Sequence, residues 1–563
     1  MTAVVPETAG SSRGGFLLGR QLNHYPAPVQ RIACLAIVVL ATIVLYYELY
    51  LPSAVSPSII AQYNMSFTTY VYIVAIGNAI GAFSSLLAGL ADRWGRANLV
   101  VYGLLVTALL ILFGLPNAGN SLAFGMLFAA VAFVEGIILV ATPALVRDFS
   151  PQLGRASAMG FWTLGPVVGS LVLSEVTSNT ISSLPAWQDQ FTICGIVGLV
   201  TFVIALFGLR ELSPQLRDQL MVSMRDRALI EARAKGIDIA AGLRRPWRQM
   251  LRLDIIGSAF AVSVFLIIYY TAVGFFTVYF TTLFGYSLSQ ANGLGNWFWA
   301  FDALMLLVVG VVSDRVRVRK PFMVIGGIGA IVMTYVFATR TDQPHTSYTT
   351  FVVIISVLAV FLGIAYAPWM ASFTETVEKH NPALTATGLA VWGWILRVVV
   401  AVSIALMPLV VSSMTPLVEH GSQVQALSTR YAAQLKTLAA IDPATQAALA
   451  ANPADPAAGA KAVGEIATAG HISATDAVAA LKAAAAVPAA DLAVLKEQGP
   501  AVESAAAATP GQWKNWWWVC IGGEVVFLPL ILVMAGRWSP KRARKDADEH
   551  EAEVARELAA LGD

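Results

Sequence analysis

Two stretches decide how this chain is read. Ala88-Gly89-Leu90-Ala91-Asp92-Arg93-Trp94-Gly95-Arg96 closes one long apolar run, and Gly310-Val311-Val312-Ser313-Asp314-Arg315-Val316-Arg317 closes another. Each sets an Asp-Arg pair directly after a segment long enough to cross a bilayer. The two lie in opposite halves of the chain. A charged turn between apolar runs reads as a loop at a membrane surface, and its recurrence reads as an internal duplication.

Working outward from these turns, apolar runs recur near 33–56, 68–90, 98–115, 121–146, 156–175, 190–209, 254–283, 289–312, 322–339, 349–373, 384–412 and 514–536. A helix needs roughly 20 mainly apolar residues to cross the hydrocarbon core. Backbone groups in lipid must be satisfied within each segment, and the runs lack the short alternation of barrel strands. The expectation is therefore an all-α membrane protein of twelve transmembrane helices, arranged as two six-helix bundles. Composition agrees, with 57% hydrophobic residues, 12% charged residues and a mean hydropathy of +0.68; a soluble chain carries about 25% charged residues.

Basic residues orient the spans. With the N-terminus inside, the inner segments hold Arg13, Arg20 and Arg31, then Arg93 and Arg96, Arg147 and Arg155, and Arg315, Arg317, Arg319 and Lys320. The central loop and the C-terminal tail are also basic, whereas the outer loops hold little besides Arg340. This asymmetry follows the positive-inside rule and puts both termini in the cytoplasm, with the cytoplasmic membrane as the expected location. The divisions expected are a tail over 1–30, a first bundle over 31–209, a basic connector over 210–253, helices 7–11 over 254–414, an Ala-rich insert over 415–511, helix 12 over 512–537 and a tail over 538–563.

The insert has too few large apolar residues to span a bilayer, and topology places it outside. Val424, Leu427, Tyr431, Leu435 and Leu438 recur at helical spacing, so an amphipathic helix is expected. Asp442-Pro443 reads as a helix start, and Ser473 with Asp476 reads as a capping box. A helical cap over the outer mouth and a tethered linker both fit. A cap could gate release, collect substrate or dock an extracytoplasmic partner.

These features carry a resemblance. The Asp92-Arg93-x-Gly95-Arg96 turn resembles the most widespread motif of the major facilitator superfamily, with Ala88 where that family usually has Gly. Gly160 and Gly165-Pro166-Val167-Val168-Gly169 resemble the helix 5 motif of its drug:proton antiporter branches, as does the spacing from Glu48 to Pro57. In helix 4, Ala132 stands where those branches often carry Arg. The resemblance implies a secondary transporter working by alternating access. It also implies that Ala88, Asp92, Arg93, Gly95, Arg96, Asp314 and Arg315, with Gly165, Pro166 and Gly169, serve the conformational switch. A monomer is expected.

Charges inside the spans point to the chemistry. Glu48, Glu135, Asp302, Arg397 and Glu524 all fall within apolar runs. A charge at a helix centre costs about 2.5–3.5 kcal/mol even on mild scales, so such residues face a cavity or a partner. The four acids are candidate proton-coupling groups. Arg397 stays charged, and its planar fork suits a carboxylate or phosphate. Its alternative is a permanent pair with Asp302 or Glu524. Tyr46, Tyr47, Trp162, Asn296, Trp297, Trp299, Trp392 and Trp394 are candidates for a substrate-binding lining. Trp513, Trp516, Trp517 and Trp518 read as an interfacial belt.

No ATP-binding loop, metal-binding Cys/His cluster or nucleophile–base arrangement occurs in the sequence. Neither an enzyme nor a cofactor or metal site is expected, and the net charge of +2 offers nothing to nucleic acid. The reading is a proton-coupled exporter of an amphipathic small molecule. The alternatives are a proton symporter importing a small organic anion through Arg397, and a membrane receptor or scaffold acting through the insert.

Overall fold

The computed structural model describes residues 19–85, 87, 94–150, 163–213, 216, 250–380, 385–542 and a few positions beyond. Of the switch and lining residues expected above, Ala88, Asp92, Arg93 and Trp162 lie outside the described residues, as does most of the 210–253 connector. Among the described residues the chain is helical, apart from two short strands.

Spans 1 to 4 are Pro28–Ala54, Phe67–Ser84, Arg96–Asn117 and Ser121–Phe149. Spans 5 and 6 are Gly165–Thr180 and Trp187–Gly208. Span 7 is broken into Leu253–Phe265 and Ile267–Phe284. Spans 8 to 11 are Leu288–Val316, Lys320–Ala338, Tyr348–His380 and Thr385–Val410. Span 12 is the last part of the helix Ala489–Leu530. Ten described helices are individually long and apolar enough to cross a membrane. The other two spans are the 16-residue Gly165–Thr180 and span 12.

Local chemistry sets the ends of these helices. Ser66 accepts the Thr69 amide at 2.9 Å at the start of span 2, and Asn120 accepts that of Ala123 at 2.8 Å at the start of span 4. Ser287 and Gln290 form a reciprocal capping box before span 8. Each cap satisfies an amide that has no carbonyl within its own helix. Pro166 occupies the first turn of Gly165–Thr180, where its missing N–H costs nothing.

The chain divides into two compact units, one running to Val410 and resuming at Trp513, the other Val411–Gln512. In the first, spans 1, 3, 4 and 6 share an apolar core that includes Val38, Leu45, Leu104, Leu145 and Phe149. Strand β1 (Gln21–Leu22) pairs in parallel with β2 (Glu211–Leu212), tying the segment before span 1 to the segment after span 6. The second unit is a set of short helices with its own small core of Ile441, Ala462, Ile466 and Ala477. Asp442 caps its helix as expected, through Ala444 N at 2.9 Å, and Ser473 accepts the Asp476 amide at 3.1 Å. The single amphipathic helix expected over Val424–Leu438 is instead two, Ser422–Arg430 and Ala432–Ala439. They break at Tyr431, whose backbone leaves the helical region.

Trp513, Trp516 and Trp517 are not a belt. All three are buried, and only Trp518 is exposed. Trp513 and Trp517 pack on Tyr279 at ring-centroid distances of 4.8 and 5.3 Å, and the indoles of Trp516 and Trp517 donate to Thr271 and Thr341. Sequence places a Trp at a membrane depth but does not show which side of the helix meets a neighbour. Here packing against spans 7 and 9 takes the ring.

Candidate functional site

Halfway along the spans, ionisable and aromatic side chains from both halves converge. Span 1 supplies Tyr46, which lies within electrostatic reach of Glu135 from span 4 and Arg397 from span 11. Tyr50, one turn further, stacks near Tyr46 with ring centroids 5.5 Å apart. The second half answers with Tyr269 and Tyr270, placed just after the break in span 7 at Leu266, and with Asp302 and Tyr366. Trp299 packs edge-on to Tyr269 at 5.1 Å. Trp392 lies 5.4 Å from the ring of Trp369.

The acids here lack partners. Glu135 is buried, and neither carboxylate oxygen has a hydrogen-bond partner. Asp302 is buried on the face of span 8 that meets span 10, where a Cβ added to Gly363 would stand 3.3 Å from its Oδ1. Among the described residues no donor or cation pairs with it. A buried carboxylate without a partner carries a desolvation cost of several kcal/mol, so this arrangement is suited to holding protons, with water or substrate entering between the halves.

Arg397 makes neither ion pair considered from the sequence. Its Nη1 donates instead to the Ser85 hydroxyl at 2.8 Å, bridging span 11 to the end of span 2. Among the described residues no carboxylate is within ion-pair distance of it. Glu524 lies elsewhere, accepting from Thr334 of span 9 at 2.7 Å.

Glu48 and Tyr47 turn away from the centre. Helix geometry puts Tyr46 on one face and Tyr47 with Glu48 on the next. Glu48 is fully buried against Gly198 of span 6 and Ala108 of span 3, and Tyr47 lies beside Cys194. Trp297 and Trp394 also stand apart from the buried centre, at 47% and 56% exposure. Trp297 sits five residues before Asp302, about 140° around the helix, and stacks on Phe301.

At the end of the spans away from the Asp-Arg turns, the halves are sewn together. Ser289 donates to the carbonyl of Ser178 at 2.6 Å, Asn296 donates to the Ser178 hydroxyl at 3.0 Å, and Asn292 donates to the carbonyl of Ala54 at 3.0 Å. Span 8 reaches span 5 this closely because Gly295 lies against Ser174; a Cβ there would come 3.1 Å from that of Ser174. Beneath this seam lies a cavity of about 30 Å³ between Tyr50, Ser170, Asn292 and Trp299, room for about one or two waters. Gly165 and Gly169 serve the same end within the first half, letting span 5 pack on Thr42 and Tyr46 of span 1.

Arg96, which follows the first Asp-Arg pair, and Asp314, of the second, are anchored within their own halves. Arg96 grips Asp148 at the end of span 4, at 2.7 and 2.9 Å, and its amide donates to Glu211 at 2.6 Å. Gly95, with φ of 88°, makes the turn that presents that amide. In the second half Asp314 pairs with Arg319 at 2.6 Å, and Arg319 also reaches Glu375 of span 10 at 3.2 Å. Arg315 is exposed. Sequence reading missed Asp148, Glu211 and Glu375, because each lies far along the chain from its partner, and it took Arg319 only as a basic residue of the inner surface. It also missed Tyr269, Tyr270 and Tyr366; the Tyr269-Tyr270 doublet inside an apolar run was the available signal.

Comparison with known proteins agrees with this geometry. The fold resembles a bacterial homolog of the human lysosomal transporter Spinster in an inward-facing, unoccupied conformation, with a TM-score of 0.56 and 15% identity over 92% of this chain and 100% of that one. The occupied form of the same homolog gives 0.55. A D-xylose-proton symporter matches with a TM-score of 0.55 and 13% identity, over 67% of this chain and 90% of that one. No curated protein matches in sequence. The family model for the Major Facilitator Superfamily matches residues 38–408. With a twelve-span helical fold and a model match over most of its length, this chain belongs to the Major Facilitator Superfamily, whose members are secondary transporters of small molecules and not enzymes.

Proposed function

We propose that this protein couples proton movement to the transport of an amphipathic small molecule by alternating access, in the export direction, from the cytoplasmic membrane with both termini inside. Glu135 and Asp302 carry the protons, and Tyr46, Tyr50, Tyr269, Tyr270, Tyr366 and Trp299 line the path. The observation that carries this reading is the pair of buried, unpartnered carboxyls, one from each half, set among tyrosines midway along the spans. Rocking of the halves opens the seam between spans 5 and 8 and exposes the acids to the other side. The aromatic lining suits an apolar or cationic body. The insert is outside, where it can meet a partner.

A second reading, uptake of a small organic anion with protons, is favoured by one observation: Arg397 has a hydroxyl but no acid within ion-pair distance among the described residues. A fixed guanidinium without a carboxylate is a place for an anion.

Purified protein in proteoliposomes, given a pH gradient and a panel of cationic, neutral and anionic compounds, tests both. Glu135→Gln and Asp302→Asn should each reduce proton-driven flux by about tenfold or more, with counterflow of substrate preserved. Unchanged proton-driven flux in both variants would remove these acids from the mechanism.

A further inference from the structure

The halves of this chain share more than the Asp-Arg turn. Span 1 carries Tyr46-Tyr47-Glu48, and span 7 carries Tyr269-Tyr270-Thr271. Span 6 carries Trp187, Cys194 and Gly198; span 12 carries Trp513, Cys520 and Glu524, at the same intervals of seven and four residues. The packing repeats as well. Trp187 lies on Phe191 and Trp513 on Trp517, each with ring centroids 5.1 Å apart. In the register of spans 6 and 12, Gly198 aligns with Glu524.

In the first half the carboxylate of Glu48 lies on Gly198, and a Cβ added to that glycine would run into it. In the second half the carboxylate grows from the aligned position itself, as Glu524. One place in the repeat therefore holds a carboxyl in both halves, supplied by span 1 in one and by span 12 in the other. Both side chains are fully buried. Both oxygens of Glu48 and Oε2 of Glu524 lack a hydrogen-bond partner. A threonine from the matching span attends each acid, Thr107 of span 3 beside Glu48 and Thr334 of span 9 at 2.7 Å from Glu524. The aligned cysteine is near in each case. Among the described residues, the other ionisable groups in reach of Glu48 are Tyr47, Cys194 and Glu135; for Glu524 the group is Cys520. Among the described residues no cation faces either acid.

A buried carboxyl with a hydroxyl and a thiol, and without a cation, is not half of an ion pair. Nor is it a relic of one helix's sequence, since the supporting helix differs between the halves while the place does not. We propose that each half holds one proton-binding cell away from the central path, Glu48 on Gly198 in the first and Glu524 beside Thr334 in the second. The two cells are equivalent in the internal repeat. The step is the simplest one, a carboxylate taking a proton from hydronium, which leaves as water, to become a carboxylic acid. Only its effect on flux rests on the proposed proton coupling; the binding of the proton does not.

Relocating the acid tests this on the full-length protein in liposomes, by infrared titration of protonated carboxyl bands and by proton-driven flux. Glu48→Gln should remove one band and lower flux by at least about fivefold. Glu48→Thr should do the same, and adding Gly198→Glu should restore both by rebuilding the first cell in the form of the second. Glu524→Gln should remove the other band. Bands and flux unchanged in the isosteric Glu48→Gln would overturn the proposal. So would a folded Glu48→Thr/Gly198→Glu protein in which neither returns. If the unaltered protein moves no compound on a pH gradient, the transport reading fails, and the infrared arm alone decides the cells.

Discussion

Among the described residues Arg397 is bound by one hydroxyl, in a region where charges are costly. Replacing it with Gln removes the charge but keeps a donor at Ser85. If an organic anion binds there, Arg397→Gln should weaken competition by anionic compounds by about tenfold or more, as expected for a lost charged hydrogen bond, and barely affect cationic ones. Competition assays with matched pairs of compounds read this directly. At this scale the sequence showed much. Glu135, Asp302, Arg397 and Glu524 were visible because each interrupts an apolar run. What one sequence does not show is which face of a helix meets the centre. Tyr46 and Tyr47 are neighbours in sequence, yet one faces Arg397 and the other Cys194. The pairing of Arg397 was equally hidden, since its partner Ser85 is more than three hundred residues away.

Single elements show where local signals suffice. The caps at Ser66, Asn120, Ser287 and Asp442 are short-range chemistry and begin helices close to where the runs place them. The break in span 7 has no proline or glycine to announce it, and it sets Tyr269 and Tyr270 at the centre. Between elements, the loop after span 9 meets the start of span 12 through Asp342 and Lys514 at 2.5 Å. The ammonium holds the Asp342 carboxyl below its ordinary value of 3.8. A carboxylate lowered on folding adds stability above its unfolded value, and loses it as pH falls through the folded one. Asp342→Asn should therefore melt slightly below the unaltered protein at neutral pH, with the gap closing under more acidic conditions than an ordinary aspartate would require. The gap will be small, because the pair is exposed. Thermal unfolding in detergent at several pH values measures it.

For the molecule as a whole, the internal repeat is the organising fact. The Asp-Arg pair recurs in the sequence, and after each copy an arginine reaches the fourth span of its own half, Arg96 to Asp148 and Arg319 to Glu375. Anchors inside a half keep that half rigid. The contacts joining the halves at the far end include hydrogen bonds of serine and asparagine, which water can replace at little cost, beside the ring pair of Phe67 and Phe275. Rigid halves with an exchangeable seam are what rocking requires. The buried cysteines Cys34, Cys194 and Cys520 leave the surface free for labels. Spin labels at Ser182→Cys, after span 5, and His345→Cys, after span 9, report the distance between the halves at the seam. A short population matching this structure and a longer one, with shares that shift with pH in the unaltered background and stay fixed when Glu135→Gln and Asp302→Asn are combined, is the result expected. A single distance at every pH would contradict it.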